Sequence, residues 1–177
     1  YQSFANAVIR QTSNRFDEWI EIAKTFLSNI TPKFSFGSDP MNDFSLSFEW
    51  NPDNNSETDI LQLPEKIAQK KNVRLIICLD EFQQIADFND SLTFQKKLRT
   101  IWQHQQNVTY CLFGSKKHLM ENIFNDKGMP FYKFGDMMFL KKIPTEEWTH
   151  FICDKFRETG KTITPAQASK ICEATEN

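Results

Sequence analysis

The chain has 177 residues, of which 40% are hydrophobic and 14% aromatic, and its formal net charge is −2. This apolar content excludes a disordered chain, and the length allows one domain with a core plus the start of another. The near-neutral charge gives no global basic field, so nucleic acid is not indicated as a partner. No signal-peptide pattern is present and no apolar run approaches the ~18 residues of a membrane span, so we expect a cytoplasmic protein without membrane contact.

The four cysteines are spread along the chain without any Cys-x-x-Cys pair, at Cys78, Cys111, Cys153 and Cys172. Cys78 and Cys111 lie within apolar runs, where a small buried thiol is expected. We interpret all four as reduced and structural, which is usual for cytoplasmic proteins.

The N-terminal part of the chain combines helical periodicity with a short alternating segment. Apolar residues at helical spacing predict helices over residues 2–12, from about 16 to 30, and over about 57–71, with a restart at Pro64. Between the second and third helices, aromatic and apolar residues alternate with polar ones, which predicts two short strands joined by a turn at residues 37–40. The alternating residues are Phe34, Phe36, Phe44, Leu46 and Phe48.

The C-terminal part alternates predicted strands and helices. Residues 73–79 form an apolar, β-type run without alternation, which predicts a central parallel strand buried on both faces. The order strand, helix, strand, helix, strand that follows is an α/β pattern with a parallel sheet. The later elements are predicted over about 91–106 (helix), 108–113 (strand), about 116–125 (helix), 137–140 (strand), from a cap at Thr145 (helix) and over 165–175 (helix).

Two acidic residues, Asp80 and Glu81, follow directly after the strand predicted over residues 73–79. Ligands of open α/β sheets bind at the carboxyl ends of strands, although acids there can also simply mark the exit of the chain into solvent. In the functional interpretation, Asp80 holds Mg²⁺ through water, and Glu81 deprotonates the water that attacks a γ-phosphate. Side chains alternate along a strand, so adjacent acids can serve two different tasks.

The strand predicted over residues 108–113 ends in Gly114-Ser115. The Ser115 hydroxyl can reach a phosphate or the attacking water from this position, or it can cap the helix that starts near Lys116. Lys116, Lys117 and His118 follow at the N-terminus of that helix, where an anion is favoured, and a solvated basic turn is the alternative.

Residues 74–85, with the sequence Arg-Leu-Ile-Ile-Cys-Leu-Asp-Glu-Phe-Gln-Gln-Ile, resemble the Walker B segment of a known family. This family is the archaeal-type AAA-like ATPases, a branch near the signal-transduction ATPases with numerous domains (STAND). Residues 107–120 resemble its sensor-1 strand and the helix that follows. Residues 130–132, and then residues 143–148 with Phe151, resemble its last core strand and first lid helix.

This resemblance implies a P-loop NTPase-like three-layer sandwich with a parallel sheet over residues 1–143 and the start of a helical lid over residues 144–177. It gives Asp80 the Mg²⁺ role, Glu81 the role of catalytic base and Ser115 the sensor role. It also implies Mg²⁺ and ATP as cofactors of the complete ATPase.

The Walker A loop of this family, Gly-x-x-x-x-Gly-Lys-Ser/Thr, is absent from the 177 residues. Gly160-Lys161-Thr162 is a partial match, but Lys155 stands where the motif needs its first glycine, and an amphipathic helix precedes it instead of a strand. We interpret Gly160 as a helix C-cap. The main hypothesis is therefore a fragment of an ATP-hydrolysing protein whose Walker A loop and first strands precede Tyr1, and which is inactive alone.

Two other hypotheses stay open. A non-catalytic regulatory or protein-interaction module that retains the fold is motivated by the aromatic-rich segment 33–50, and a protein partner or homo-oligomer fits either case. A metal-dependent nuclease using Asp80 and Glu81 ranks lower, because the strand predicted over 108–113 offers neither an acid nor a lysine. Arg99 is a candidate arginine finger by its place in the sequence alone, with a surface role as the alternative.

Overall fold

A computed structural model describes residues 1–13, 15–27, 31–35, 45–49 and 56–175. The chain divides into two compact units, Tyr1–Gly135 and Asp136–Asn177. The predicted division into an ATPase core and a lid after residue 143 stays a prediction. Among the described residues, the helices are all too short or too polar to cross a membrane.

The described elements confirm a mixed α/β chain in which helices predominate. In the first unit they are α1 (Gln2–Thr12), α2 (Phe16–Phe26), β1 (Thr31–Ser35), β2 (Ser45–Glu49), α3 (Ser56–Lys71), β3 (Leu75–Leu79), a 3₁₀-helix (Phe82–Asp87), α4 (Ser91–Trp102), β4 (Val108–Leu112) and α5 (Lys117–Asn125). In the second unit they are α6 (Thr145–Glu158) and α7 (Pro165–Ala174).

The apolar stripes of the first three helices form one hydrophobic core, as their periodicity predicts. Its fully buried side chains include Ile9, Leu27, Ile60, Leu63 and Ile67. The predicted restart at Pro64 is wrong, because α3 runs through this proline without a break. Helices α2 and α4 end earlier than predicted, at Phe26 and Trp102, and residues 28–30 lie outside the described residues.

Strands β3 and β4 form a parallel pair in which Leu75 pairs with Val108 and Leu79 with Leu112. Helix α3 packs against both strands and covers one face of the pair. The other face is open in the described part of the chain, where the side chain of Ile76 is 73% exposed. The predicted burial of residues 73–79 on both faces is therefore wrong, because a run of apolar residues does not itself supply a second covering layer.

The same open face corrects the prediction for two of the cysteines. Cys78 and Cys111 are exposed, whereas Cys153 is half-buried and Cys172 is buried in the second unit. All four are free thiols. An apolar neighbourhood in sequence thus does not place Cys78 and Cys111 in the core, because both alternate onto the uncovered face of their strands.

The alternating segment forms two strands, as predicted, and they pair antiparallel, with Thr31 opposite Glu49 and Ser35 opposite Ser45. Phe34, Leu46 and Phe48 lie in these strands. The predicted turn at residues 37–40, together with Phe36 and Phe44, lies outside the described residues.

The strand predicted over residues 137–140 is wrong, because this segment has no regular secondary structure. Met138 and Leu140 are 82% and 86% exposed. A segment of apolar residues forms a strand only where another strand is available to pair with it. The composition of the segment does not tell whether such a partner exists.

The second unit is a helical hairpin of α6 and α7. Gly160 follows Thr159, the C-cap of α6, and has a φ of 74°; the N–H of Lys161 donates to the carbonyl of Phe156 at 3.0 Å. The predicted C-cap, Gly160, therefore lies one residue beyond the observed one, and it takes the left-handed conformation that favours glycine at the end of a helix. Thr164 and Gln167 form a reciprocal capping box at the start of α7. The N-cap of α6 is Pro144 rather than the predicted Thr145.

Candidate functional site

The carboxyl ends of β3 and β4 are fastened together beyond the regular ladder. The N–H of Phe113 donates to the carbonyl of Leu79 at 3.1 Å, and the N–H of Phe82 donates to the carbonyl of Phe113 at 3.0 Å. These two bonds bring the residues after β3 beside the residues after β4. The carboxylates and the hydroxyl singled out in the sequence therefore meet at one edge of the sheet.

Glu81 turns the chain sharply out of β3. Its backbone is left-handed, with φ 50° and ψ 39°, a conformation that costs a non-glycine residue about 1–3 kcal/mol. The Asp80 Oδ1 atom accepts a hydrogen bond from the N–H of Glu81 at 2.8 Å, and the Glu81 carbonyl accepts one from the N–H of Gln84 at 2.9 Å. Bonds on both sides thus hold the strained residue and fix the direction of its side chain.

The Glu81 carboxylate accepts hydrogen bonds from two side chains. The hydroxyl of Ser115 donates to it, with distances of 3.2 Å to Oε1 and 3.4 Å to Oε2. The Gln83 Nε2 atom donates to Oε2. Residues 34 positions apart in sequence are therefore in direct contact, as the strand-end argument requires.

The alternative in which Ser115 caps α5 is wrong. The N-cap of α5 is Lys116, and no side chain caps this helix. The Ser115 side chain instead bonds Glu81, while its carbonyl accepts from the N–H of Lys117 at 3.2 Å.

Gln83 is the residue of this site that sequence reasoning missed. Its side chain is 2% exposed, and its Oε1 atom is buried without a hydrogen-bond partner among the described residues. Gly114 makes room for it, because a Cβ atom at position 114 would lie 1.8 Å from Oε1. The glycine at the end of β4 was the available signal, since glycine in such a place marks a close approach of another group.

Asp80 is exposed and has one oxygen engaged, which leaves Oδ2 for a cation or for a water molecule bound to one. The described residues include no group of three or more histidine, cysteine, aspartate or glutamate side chains placed to hold a metal ion. Mg²⁺ does not need such a group, because it keeps several waters and is usually held by one or two carboxylates. The surroundings of Asp80 therefore fit a largely hydrated Mg²⁺ ion.

A cleft of 240 Å³ lies beside the two acids. Its lining is mostly apolar and includes Tyr1, Phe4, Phe88 and Phe94. Burial, together with the nearby charge of Glu57, raises the pKa of the Tyr1 phenol, so this lining group stays neutral. The volume is below the ~300–1,000 Å³ of typical ligand pockets, and the lining offers no phosphate cradle. This cleft therefore does not fit the triphosphate of ATP.

The basic candidates have separate surroundings. Lys116, Lys117 and His118 are exposed at the start of α5, and Lys117 pairs with Glu121 at 3.7 Å. The Arg99 guanidinium donates to the carbonyl of Tyr132 at 2.9 Å and lies 5.2 Å from the centre of the Phe134 ring. Arg99 thus fastens the segment after α5 to α4, which is a structural role, and its function as an arginine finger stays a prediction.

Comparison of the chain with protein-family models, with curated proteins and with solved structures found no match. Membership of the ATPase family therefore stays a prediction that depends on the sequence motifs. The geometry at the ends of β3 and β4 is independent of that resemblance.

Proposed function

We propose that the chain is the Walker B and sensor-1 part of an archaeal-type AAA-like P-loop ATPase, with α6 and α7 at the start of its helical lid. The proposal is carried by the hydrogen bond from Ser115 to Glu81, which joins the ends of two parallel strands beside an exposed aspartate. In the proposed protein, the complete fold is the three-layer sandwich of this family.

The proposed roles follow from the contacts of each side chain. Asp80 offers its second carboxylate oxygen to Mg²⁺ or to a water of its hydration shell; the ion neutralises phosphate charge when bound. Glu81 accepts a proton from a water molecule, since each carboxylate oxygen has lone pairs beyond those that Ser115 and Gln83 use. Ser115 orients this carboxylate through its hydroxyl.

Residues outside this chain must hold the nucleotide in this proposal. The 177 residues contain no Walker A motif, and Gly160-Lys161-Thr162 follows the C-cap of α6. We therefore expect the 177-residue chain to hydrolyse no ATP by itself. A longer protein that includes a Walker A strand and loop ahead of Tyr1 is expected to do so.

The decisive experiment uses that longer protein and Glu81→Gln, which keeps the size of the side chain and removes its basic carboxylate. We expect ATP turnover to fall at least about 100-fold, in line with general-base contributions, while calorimetry shows unchanged ATP–Mg²⁺ binding. Asp87→Asn is the matched control, because Asp87 is an exposed acid of the adjacent 3₁₀-helix outside the site. Normal turnover in Glu81→Gln would remove Glu81 from the role of base.

A non-catalytic interaction module is the second candidate, and the exposed apolar side chains of the open sheet face favour it. Ile76 is 73% exposed and Phe113 is 45% exposed. Contiguous exposed apolar surface often marks a site of protein contact. If the longer protein bound no ATP–Mg²⁺ in the same calorimetry, the ATPase proposal would fail and this candidate would replace it.

A further inference from the structure

The cleft beside Asp80 and Glu81 has walls made largely of aromatic rings. Six of its lining residues are aromatic, among them Tyr1, Phe88 and Phe94. The ring centres of Tyr1 and Phe94 lie 5.9 Å apart with an angle of 78° between the planes, and those of Phe88 and Phe94 lie 5.2 Å apart at 49°. Rings inclined to one another in this way form adjoining walls of a cage, whereas parallel rings would stack on each other.

The two acids that line the cleft are not neutralised by a basic side chain of the described residues. Asp80 accepts a hydrogen bond from the N–H of Glu81, and the Glu81 carboxylate accepts from Ser115 and Gln83, which are all neutral donors. The lining that the described residues form includes no lysine, arginine or histidine. Residues 75–95 contain four acidic residues and no basic one. The electrostatic potential at the cleft therefore favours a cation.

The aromatic walls select the kind of cation. The negative face of an aromatic ring attracts ammonium groups, and quaternary ammonium ions above all, because their methyl groups pack against the rings. Mg²⁺ gives up its hydration shell reluctantly and gains little from apolar walls. If each non-hydrogen atom takes up about as much space as a water molecule, ~30 Å³, the cleft of 240 Å³ holds about eight such atoms. Choline is a cation of this size.

We propose that this cleft binds a small quaternary ammonium compound of about the size of choline. The aromatic rings hold the alkyl groups, and the carboxylates of Asp80 and Glu81 balance the positive charge. The proposal does not depend on ATP hydrolysis, because it uses no nucleotide. Mg²⁺ draws on the charge of the same aspartate, so the two cations should weaken each other's binding, and the test is made without divalent ions.

The test titrates choline into the 177-residue chain in the presence of EDTA at constant ionic strength, and follows the N-methyl proton resonance by NMR. We expect one site per chain and an upfield shift, because the faces of aromatic rings shield nearby protons. The neutral carbon analogue of choline, in which a carbon atom replaces the nitrogen, should bind at least about 10-fold more weakly. Equal affinity for both compounds would show apolar binding without cation recognition and would overturn the proposal, as would the absence of any choline shift.

A matched pair of variants tests the aromatic walls. Phe88→Leu keeps an apolar side chain at the cleft and removes one ring, and Phe88 is 50% exposed, so the substitution leaves the core intact. We expect it to weaken choline binding about 3–5-fold and to leave binding of the neutral analogue unchanged. Phe151→Leu is the control, because this ring is 51% exposed in the second unit, away from the lining of the cleft. Equal choline affinity of the Phe88→Leu and Phe151→Leu chains would refute the site.

Discussion

Gly114→Ala tests the packing that positions Glu81. A Cβ atom at position 114 would lie 1.8 Å from Oε1 and 2.9 Å from Cδ of Gln83. Gln83 is 2% exposed, so its amide cannot move into solvent without displacing the chain around it. We expect the substitution to push the Gln83 amide away and to break its hydrogen bond to the Glu81 carboxylate.

The expected loss of stability can be estimated for Gly114→Ala and for Gln83→Ala separately. Inserting a methyl group into a packed site costs about 1–3 kcal/mol of the free energy of unfolding. Gln83→Ala removes a hydrogen bond to a charged group, worth about 1.5–3 kcal/mol, and leaves a cavity, but it also removes the buried Oε1 atom that has no partner. In the Gln83→Ala background, the space next to position 114 is empty. Gly114→Ala should then cost less than about 0.5 kcal/mol.

The assay is a double-mutant cycle by urea denaturation, followed by tryptophan fluorescence in a Trp148→Phe background. Removing Trp148 leaves only tryptophans of the first unit as reporters. The expected coupling energy between positions 83 and 114 is about 1–2 kcal/mol, as for residues in contact. An equal cost of Gly114→Ala in both backgrounds would show that Gln83 does not occupy this space.

Three further predictions concern the stability of the two units. Burial acts to raise the pKa of Glu65, but hydrogen bonds from the backbone and side chain of Asn107 outweigh it and lower the pKa. Glu65 therefore stabilises the fold above its unfolded pKa of about 4.3, and this stability is lost as the pH falls through the lower folded pKa. Glu65→Gln should flatten the pH dependence of the free energy of unfolding, measured by urea denaturation between about pH 5 and 3. Phe131 is fully buried, so Phe131→Ala should cost about 3–5 kcal/mol in the same denaturation assay, whereas a cost under 1 kcal/mol would contradict its burial. Thr164→Ala removes the capping box of α7 and should cost about 1 kcal/mol, seen as roughly fivefold faster amide exchange along α7 by mass spectrometry, and unchanged exchange would show that the cap is not stabilising.

Much of the secondary structure could be predicted from the sequence because its signals are local. Helical spacing of apolar residues predicted α1 with the bounds that the structure has, and the Thr-Pro start predicted α7. The alternating aromatic residues predicted the two strands β1 and β2. These patterns depend only on residues that are neighbours in the chain, so no knowledge of the tertiary fold is needed.

The errors share a different cause, which is the environment that other elements provide. The apolar run that includes Ile76 and Cys78 predicts a strand buried on both faces, yet among the described residues only one face is covered. Residues 137–140 have strand-like composition but no strand. Whether a segment is buried or paired depends on the element that packs against it as much as on the segment itself. A single sequence does not show which element that is.

The sequence predicted that the residues after β3 and β4 meet at one edge of the sheet, but it did not predict how their side chains are arranged. Alternation along a strand suggested that Asp80 and Glu81 point in different directions, and a straight continuation of β3 would place Glu81 on the face that α3 covers. The left-handed turn at Glu81 instead carries its carboxylate across the strand ends to Ser115. That turn needs support on both sides, which the N–H bond to Asp80 and the buried amide of Gln83 provide. Gly114 also contributes to this arrangement, because any larger residue there would displace the Gln83 amide that donates a hydrogen bond to the Glu81 carboxylate.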